Sequence, residues 1–400
     1  MSSARDGGSD GLEKVSSPPP LAPPTSEGTR LCWLRLLRSR RVGTATFYRL
    51  MAEHGGDAEA ALDALPTVAA KAGLSGYAPC PEGVAAAELA AGRRAGAQPV
   101  FIGEPGYPDL LRQISDAPPM LWALGDPAIA SRPAIALVGA RNASSLGRRA
   151  ARHLATGIGA AGYVIASGLA RGIDAVAHET ALATGTIAVV AGGVDVIYPR
   201  ENAALTAQIA ESGLILSEMP PGLRPLARHF PRRNRIVSGL SAAVVVVEAA
   251  ARSGTLITAR EALDQGREVL AVPGHPFDAR AAGCNMLIRD GATLVRGPED
   301  VLEALAAPGL FSAPRPAAPR PPQQMPPAAI TPRPATPPSP GDDAPIRVRI
   351  LSLLGMAPLP EDQLLRDLDL NSQDIAGELL EMEMDGTIHR QPGGLLARSA

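Results

Sequence analysis

The sequence predicts an α/β fold, in which an extended Rossmann-like, doubly wound parallel sheet is flanked by a small N-terminal helical domain and a C-terminal winged-helix-like domain. Two observations predict this fold. Apolar, β-branched runs alternate with helical segments over residues 98–307, and each run is uniformly apolar, as expected of a strand covered by helices on both faces. A proline-rich stretch, 308–345, then separates residues 346–400 from this core as a semi-rigid tether.

The N-terminal part of the chain predicts a disordered tail followed by a helical domain. Residues 1–28 are rich in Ser, Pro and Gly and are expected to be disordered. Residues 29–92 have helical spacing of their leucines, with glycines at the turns, which predicts three or four short helices. The segment VGTATFYRLMAEHGG resembles a sterile-alpha or helix-hairpin-helix element. We expect this domain to serve packing or interaction.

The core contains six apolar runs that predict parallel strands. They are AIALVG at 134–139, YVIAS at 163–167, TIAVVAGG at 186–193, LILSE at 214–218, AVVVVEA at 243–249 and EVLAVPG at 268–274. In doubly wound folds, ligands bind outside the carboxyl ends of the strands. The loops that follow these runs are therefore where binding residues are expected.

The C-terminal segment predicts a helix, helix, helix and hairpin order, which is typical of a winged helix. Its third helix, expected over residues 372–385, carries five acidic residues and no basic residue. Phosphates would repel such a helix in a major groove. This module is therefore interpreted as a protein-contact module and not as the element that reads DNA.

Composition limits the possible partners and compartments. With a formal net charge of −2, any site for a polyanion must be a local patch. Neither lysine, Lys14 or Lys71, lies in a GxxxxGK[ST] loop, which excludes a P-loop NTPase. Three scattered cysteines without a CxxC pair argue against disulfides or a metal site and favour a reducing compartment. Because no apolar leader or spanning stretch is present, a cytoplasmic location and no membrane association are expected.

Three strand-to-helix turns have the chemistry of phosphate sites. The first lacks GxGxxG, and Ser167 stands after the second strand where a dinucleotide enzyme has an acidic residue, so no NAD or FAD cofactor is expected. Glycines and hydroxyls at helix N-termini, beside arginines, can instead hold the phosphates of a nucleic-acid backbone. A structural role is the alternative for any one turn. The candidate residues are Arg141 and Ser144; Gly168 and Arg171; and Ser253, Gly254 and Thr255.

The segment after the fourth core run is the strongest nucleic-acid signal. Between Gly222 and Arg235 it reads GLRPLARHFPRRNR, with five arginines, no acid and one aromatic. Guanidinium groups bind phosphates and an aromatic face stacks on an unpaired base, so this pairing favours single strands over duplex. A solvated basic loop is the alternative. The candidate residues here are Arg228, Phe230, Arg232, Arg233, Asn234 and Arg235.

The residues assemble no catalytic centre. Asp174 and His178 lie four residues apart on one helix face, but with no second His or Cys nearby they are interpreted as structural, the acid stabilising the helix and packing against the imidazole. No Ser-His-Asp or paired-carboxylate arrangement emerges from Asn202, Glu218 and Glu248. We therefore expect no enzyme and no metal.

The core closely resembles the DNA-processing protein A (DprA) family, also called Smf. The matching blocks occur in order along the whole core: YPDLL with DAPPMLWALGD at 107–126, VGAR at 138–141, SGLARGIDAVAH at 167–178, GGVDVIYP at 192–199, SEMPPG at 217–222, HFPRRNRIVSGLS at 229–241, VVVEAAARSGTLITA at 245–259, and AVPG with NMLIRDGA within 271–292. The resemblance implies a homodimer that binds single-stranded DNA without catalysis and loads the RecA recombinase in natural transformation.

The resemblance also implies roles for single residues. Arg141 matches the arginine of the family's first-turn motif, and Phe230 matches the residue that stacks on a base. Arg228 stands where relatives often have lysine, and residues 233–235 match the family's RNR block. The family's dimer contact is expected near Met286, Leu287 and Val295.

The function expected from the sequence is a single-strand-binding recombination mediator that protects incoming DNA and loads RecA. The alternative is a nucleotide-processing enzyme of the Rossmann-like phosphoribohydrolase type. In that group a glutamate follows the glycine motif, whereas Thr258 and Ala259 stand there in this chain and Glu261 comes later. A protein-only scaffold is a third reading, which predicts no retention of oligonucleotide at low salt.

Overall fold

A computed structural model describes residues 21–306, 345–354, 358–368, 370–391 and 395–398. The predicted disordered tail up to residue 20 and the proline-rich stretch up to residue 344 lie outside the described residues. The described chain divides into two compact units after Ala85. The first helix begins at Glu27, inside the segment expected to be tail.

The N-terminal unit is helical, as predicted. Side chains of Ser26 and Asp57 accept hydrogen bonds from backbone N–H groups at the starts of the first and third helices, which satisfies donors that have no partner within the helix. Apolar side chains on the inner helix faces, among them Trp33, Phe47 and Leu50, are fully buried. The helices are α1 (Glu27–Arg38), α2 (Thr44–Glu53), α3 (Ala58–Lys71) and α4 (Glu82–Arg94), the last of which continues past residue 85.

Within the described chain, nine strands of the second unit form one sheet, in the order β1-β2-β6-β5-β4-β3-β7-β8-β9. All neighbours from β6 to β9 pair in parallel, whereas β1 and β2 pair antiparallel at one edge. The strands are β1 (Gln98–Phe101), β2 (Met120–Gly125), β3 (Ala134–Gly139), β4 (Val164–Ser167), β5 (Thr186–Val189), β6 (Leu214–Ser217), β7 (Ala243–Glu248), β8 (Glu268–Ala271) and β9 (Thr293–Leu294). This topology confirms the predicted doubly wound parallel sheet.

Helices connect the parallel strands and bury their apolar sides on the sheet. They are α5 (Ser145–Ala160), α6 (Ile173–Ala181), α7 (Ala203–Ser212), α8 (His229–Gly239), α9 (Thr255–Asp264), α10 (Ala282–Arg289) and α11 (Pro298–Leu305). From β3 the chain first adds β4, β5 and β6 on one side, and then returns to add β7 on the other. The carboxyl ends of β3 and β7 therefore form the topological switch point, where ligands bind in folds of this type.

The C-terminal part of the second unit has the winged-helix order that was predicted. Its three strands form a separate sheet in the order β10-β12-β11, and residues such as Ile350, Leu364 and Leu396 make its buried core. Residues 392–394, within the predicted hairpin, lie outside the described residues. The elements are α12 (Ile346–Leu353), β10 (Leu359–Pro360), α13 (Glu361–Leu368), α14 (Ser372–Met384), β11 (Ile388–Gln391) and β12 (Leu395–Arg398).

Among the described residues, no helix is both long enough and apolar enough to cross a membrane.

Candidate nucleic-acid interface

Loops at the carboxyl ends of the strands surround two adjoining cavities, which together we call the groove. The first cavity, about 770 Å³, lies among the loops after β4, β5 and β6. The second cavity, about 660 Å³, lies at the switch point, among the loops after β3 and β7 and the start of α8. Five residues line both cavities: Arg141, Gly168, Ala170, Phe230 and Arg233.

The shared wall of the two cavities contains the two residues on which the sequence hypothesis depends most. The guanidinium carbon of Arg141 lies 5.5 Å from the ring centroid of Phe230, which is a cation–π arrangement. Arg141 is exposed and Phe230 is half-buried. The first βα turn and the arginine-rich segment therefore meet at one place, as the hypothesis requires.

The arginine-rich segment is a helix from His229 onward, and not a loop. Successive residues of a helix point in directions about 100° apart, so its arginines separate onto different faces. Arg233 and Asn234 line the groove, whereas the exposed Arg232 lies 3.9 Å from a carboxylate oxygen of Glu218. Arg228, also exposed, is not among the described residues that line either cavity.

Arg235 departs from its predicted role. Its side chain is buried, with Nη2 2.8 Å from Glu218 Oε2 and Nε 3.3 Å from Asp116 Oδ2. Nη1 also donates to the backbone carbonyl of Asp116, at 2.7 Å. These bonds tie α8 to the segment before β2 and use the guanidinium internally, so Arg235 is a structural residue.

Arg233 is a buried cation at the floor of the groove. Its Nη1 donates to the carbonyl of Val189 at 2.7 Å, and its guanidinium packs on Gly168, where a Cβ would come within 2.0 Å of Nη1. Burial lowers the pKa of Arg233 to about 10, and the nearby Asp174 carboxylate opposes that shift. Arg233 therefore keeps its charge at neutral pH in a place poor in water, where an anion interacts with it more strongly than at an exposed site.

Asp174 supports the second βα turn. Its Oδ2 accepts backbone N–H bonds from Gly168 at 3.1 Å and Ala170 at 3.3 Å. Burial raises the pKa of this carboxyl, while Arg233 works in the opposite direction. The turn also holds Leu169 at a left-handed φ of 54°, and Asn202 Nδ2 donates to its carbonyl at 2.9 Å. Asp174 thus has the structural role that was expected, although its bonds go to the turn and not to His178.

Ser144 also departs from its predicted role as a phosphate ligand. Its Oγ donates to Glu248 Oε2 at 2.6 Å and accepts from the Gly147 N–H at 3.0 Å, while its backbone N–H donates to the same carboxylate at 3.2 Å. The side chain is buried. Glu248, whose pKa burial raises, therefore occupies the start of α5 where a phosphate was expected.

The turn after β7 lines the second cavity with hydroxyl groups. Ser253 Oγ donates to Thr255 Oγ1 at 3.0 Å, and Thr255 Oγ1 donates to the carbonyl of Gly139 at 3.2 Å. Gly254 is exposed between them. The same wall contains Arg252, an exposed cation that the sequence reasoning missed, although it directly precedes the predicted turn.

Arg280 is a second cation of that wall that the sequence reasoning missed. Its Nη1 and Nη2 donate to the carbonyls of Ser352 and Leu354, at the end of α12, over 2.9 and 2.7 Å. This guanidinium is therefore shared between the groove and the C-terminal module.

Arg171, a predicted ligand, lines the first cavity and lies 3.4 Å from Glu201. The same cavity contains residues that were not predicted as ligands. Among them are Tyr198, Arg200 and Arg224. The block GGVDVIYP matches the family, but a tyrosine after a turn does not by itself indicate a ligand site.

The three residues expected at a dimer contact differ in exposure. Met286 and Leu287 are half-buried, but Val295 is 1% exposed and belongs to the core of the sheet. Val295 therefore cannot contact a second chain, whereas its neighbour Leu294 is 42% exposed.

Comparison with protein-family models gives three matches along the chain. Residues 98–306 match the DNA recombination-mediator protein A model, which is more than half of the 400 residues. The chain belongs to this family. The flanking matches are to a DprA-like N-terminal HHH domain at 27–91 and a DprA winged helix domain at 333–394. The resemblance inferred from the residues is therefore confirmed.

Individual relatives agree with this membership. DNA processing protein DprA of Bacillus subtilis is 46% identical over 220 residues, which cover 54% of this chain and 74% of the relative. Protein Smf of Escherichia coli is 40% identical over 291 residues, covering 72% and 74%. The X-ray structure of DNA processing protein A from Streptococcus pneumoniae is 40% identical, covers 56% of this chain and 77% of that chain, and has a TM-score of 0.52.

Proposed function

We propose that this protein binds single-stranded DNA in the groove and acts as a recombination mediator that protects incoming DNA and loads RecA onto it. The observation that carries the proposal is the meeting of Arg141, Phe230 and Arg233 in the shared wall of the two cavities. Membership of a family described as recombination mediators supports the same role.

The chemistry of the groove favours single strands over duplex. Arginine side chains lie at several points along the groove. A nucleic-acid backbone with regularly spaced phosphates can therefore contact more than one of them. Phe230 lies between these cations, where an unpaired base can reach its ring. A duplex keeps its bases stacked inside and would use only the cations.

The finer parts of the proposal rest on the family and not on the groove. They are a homodimer with Met286 and Leu287 near its contact, the RecA partner, a role in natural transformation and a cytoplasmic location. We also propose that the protein is not an enzyme. In the groove Asp174 is occupied by backbone N–H groups and Glu201 is beside Arg171, so neither is placed as a free base.

The salt dependence of binding tests this function. Affinity for an oligothymidine should fall linearly on a log-log salt plot, with a slope of about −0.7 for each phosphate neutralised. Arg141→Ala should make this slope shallower by about 0.7, because one phosphate contact is lost. Arg149→Ala, which removes an exposed arginine from α5 outside the described lining of both cavities, is the matched control and should leave the slope unchanged.

Two outcomes would contradict the proposal. One is no retention of single strands at low salt, and the other is an Arg141→Ala slope equal to that of the wild type. Release of free base from nucleoside monophosphates would instead favour the phosphoribohydrolase alternative.

A further inference from the structure

We propose that the first cavity is a base-binding subsite in which the ring of Tyr198 stacks on an unpaired nucleobase. This inference rests on the proposed function and assigns a part of the groove that the sequence hypothesis left without a ligand. The residue expected to stack was Phe230 alone.

The surroundings of the two rings distinguish them. Phe230 is half-buried and has the guanidinium of Arg141 over its ring. Tyr198 is 48% exposed and lines the first cavity. The ring centroids lie 5.6 Å apart with planes tilted by 50°, so the two rings are not stacked face to face. Tyr198 is therefore the more accessible aromatic surface of the groove.

The loop that carries Tyr198 is held in place before any ligand arrives. Ser217 Oγ donates to the carbonyl of Gly192 at 2.6 Å, and the N–H of Gly193 donates to the carbonyl of Leu223 at 2.9 Å. Asp195 Oδ1 accepts the N–H of Gly222 at 2.7 Å. These bonds tie the loop after β5 to the loop after β6, so little conformational entropy is lost when a base stacks.

The two cavities differ in chemistry, so we expect them to bind different parts of the strand, a base in the first and phosphates in the second. The first has an apolar and aromatic side at Ile197, Tyr198 and Pro199, with Arg200 and Arg224 also in its lining. The second has the exposed cation Arg252 beside the turn after β7. A strand that passes the wall between Arg141 and Phe230 can therefore place a base against Tyr198 while cations of the second cavity hold backbone phosphates.

Substitution of Tyr198 tests the subsite. Tyr198→Ala is expected to weaken binding of an oligothymidine roughly 5- to 150-fold, the loss of one base–aromatic stack. Tyr198→Phe keeps the ring and should bind within about threefold of the wild type. Phe277→Ala, which removes an aromatic residue that is 82% exposed and outside the described lining of both cavities, is the matched control and should bind as the wild type does.

Two further measurements separate stacking from charge and from misfolding. The salt slope of Tyr198→Ala should equal that of the wild type, because no phosphate contact is removed, and an abasic strand of the same length should bind both proteins equally. Tyr198→Leu keeps an apolar side chain beside Phe230 and should lose affinity as Tyr198→Ala does, with an unchanged urea midpoint.

The outcomes distinguish this inference from the proposed function. If the wild type binds the oligothymidine and Tyr198→Ala binds it equally well, the subsite is wrong and the function stands. Equal losses on abasic and normal strands would also overturn the subsite. If the wild type retains neither strand at low salt, the proposed function fails and the subsite fails with it.

Discussion

His178, beneath the second turn, illustrates how one buried side chain depends on its hydrogen bonds. Its Nδ1 lies 2.7 Å from Thr186 Oγ1, and that hydroxyl donates its own hydrogen to the carbonyl of Ile165 at 2.9 Å. The hydrogen on the imidazole must therefore be on Nδ1, and Nε2 has no hydrogen-bond partner among the described residues. Burial, with the charge of Arg233 acting in the same direction, lowers the pKa of His178 to about 3.

This shift predicts a pH dependence of stability. Between pH 6.5 and about 3 the unfolded chain binds a proton at His178 and the folded chain does not, so the free energy of unfolding should fall with falling pH, by up to about 1.4 kcal/mol per pH unit. His178→Asn should remove this part of the slope in urea titrations at several pH values. His153→Asn, at an exposed histidine, is the control; equal slopes for wild type and His178→Asn would contradict the assignment.

For single residues, the sequence indicated which side chains could bind an anion. It did not indicate which of them are instead bound by other groups of the protein. Arg141 and Phe230, both predicted as ligands, meet because both follow strands whose carboxyl ends share an edge. Ser144 and Arg235 have the same chemistry as the candidate ligands, yet Glu248 and the half-buried Glu218 bind them internally. Those carboxylates come from the ends of other strands, so local spacing gave no sign of them.

The first and second βα turns support each other through a glycine. Gly172 has a φ of +79°, and a Cβ there would lie 2.2 Å from the carbonyl oxygen of Ala140 and 2.6 Å from that of Arg141. The neighbouring N–H of Ile173 donates to the same Ala140 oxygen at 3.2 Å. Because the opposing atoms are backbone, they cannot move aside as a flexible side chain would.

Gly172→Ala is therefore expected to lower the free energy of unfolding by about 2 kcal/mol or more, through both the left-handed backbone and the clash. It should also weaken oligonucleotide binding, because the turn that carries Arg141 is displaced. Gly254→Ala is the matched control for the unfolding measurement, since this glycine has a helical backbone and no atom within 4 Å of a Cβ. A Gly172→Ala protein as stable as Gly254→Ala in urea unfolding would contradict this interpretation.

At the scale of elements, the six predicted core strands were found, since long apolar runs have few other solutions inside a parallel sheet. The outer strands β1, β2 and β9 were not predicted. Strands β1 and β9 have only four and two residues, and β2 lies outside the parallel strand–helix alternation because it pairs antiparallel with β6. The helix α8 is not apparent from the sequence, because its first turn is polar and contains Pro231. A proline is tolerated in the first turn, where its missing N–H has no partner within the helix.

Across the whole molecule, the C-terminal module meets the sheet domain through Arg280. Arg280→Ala removes two donors from the carbonyls at the end of α12, so deuterium uptake in residues 346–354 is expected to rise. Uptake in α1 to α3, which belong to the other compact unit, provides the internal control. Unchanged uptake in 346–354 would mean that this guanidinium does not hold the module.

The position of Arg280 has a thermodynamic consequence for the assembled protein. If the groove binds DNA as proposed, a phosphate in the second cavity would compete with the carbonyls of α12 for the guanidinium of this side chain. By linkage, a ligand that draws Arg280 toward the groove weakens the docking of the C-terminal module. The docked module weakens the binding of that ligand by the same free energy. Sequestering the freed module on another protein would then raise the affinity of the groove for its strand.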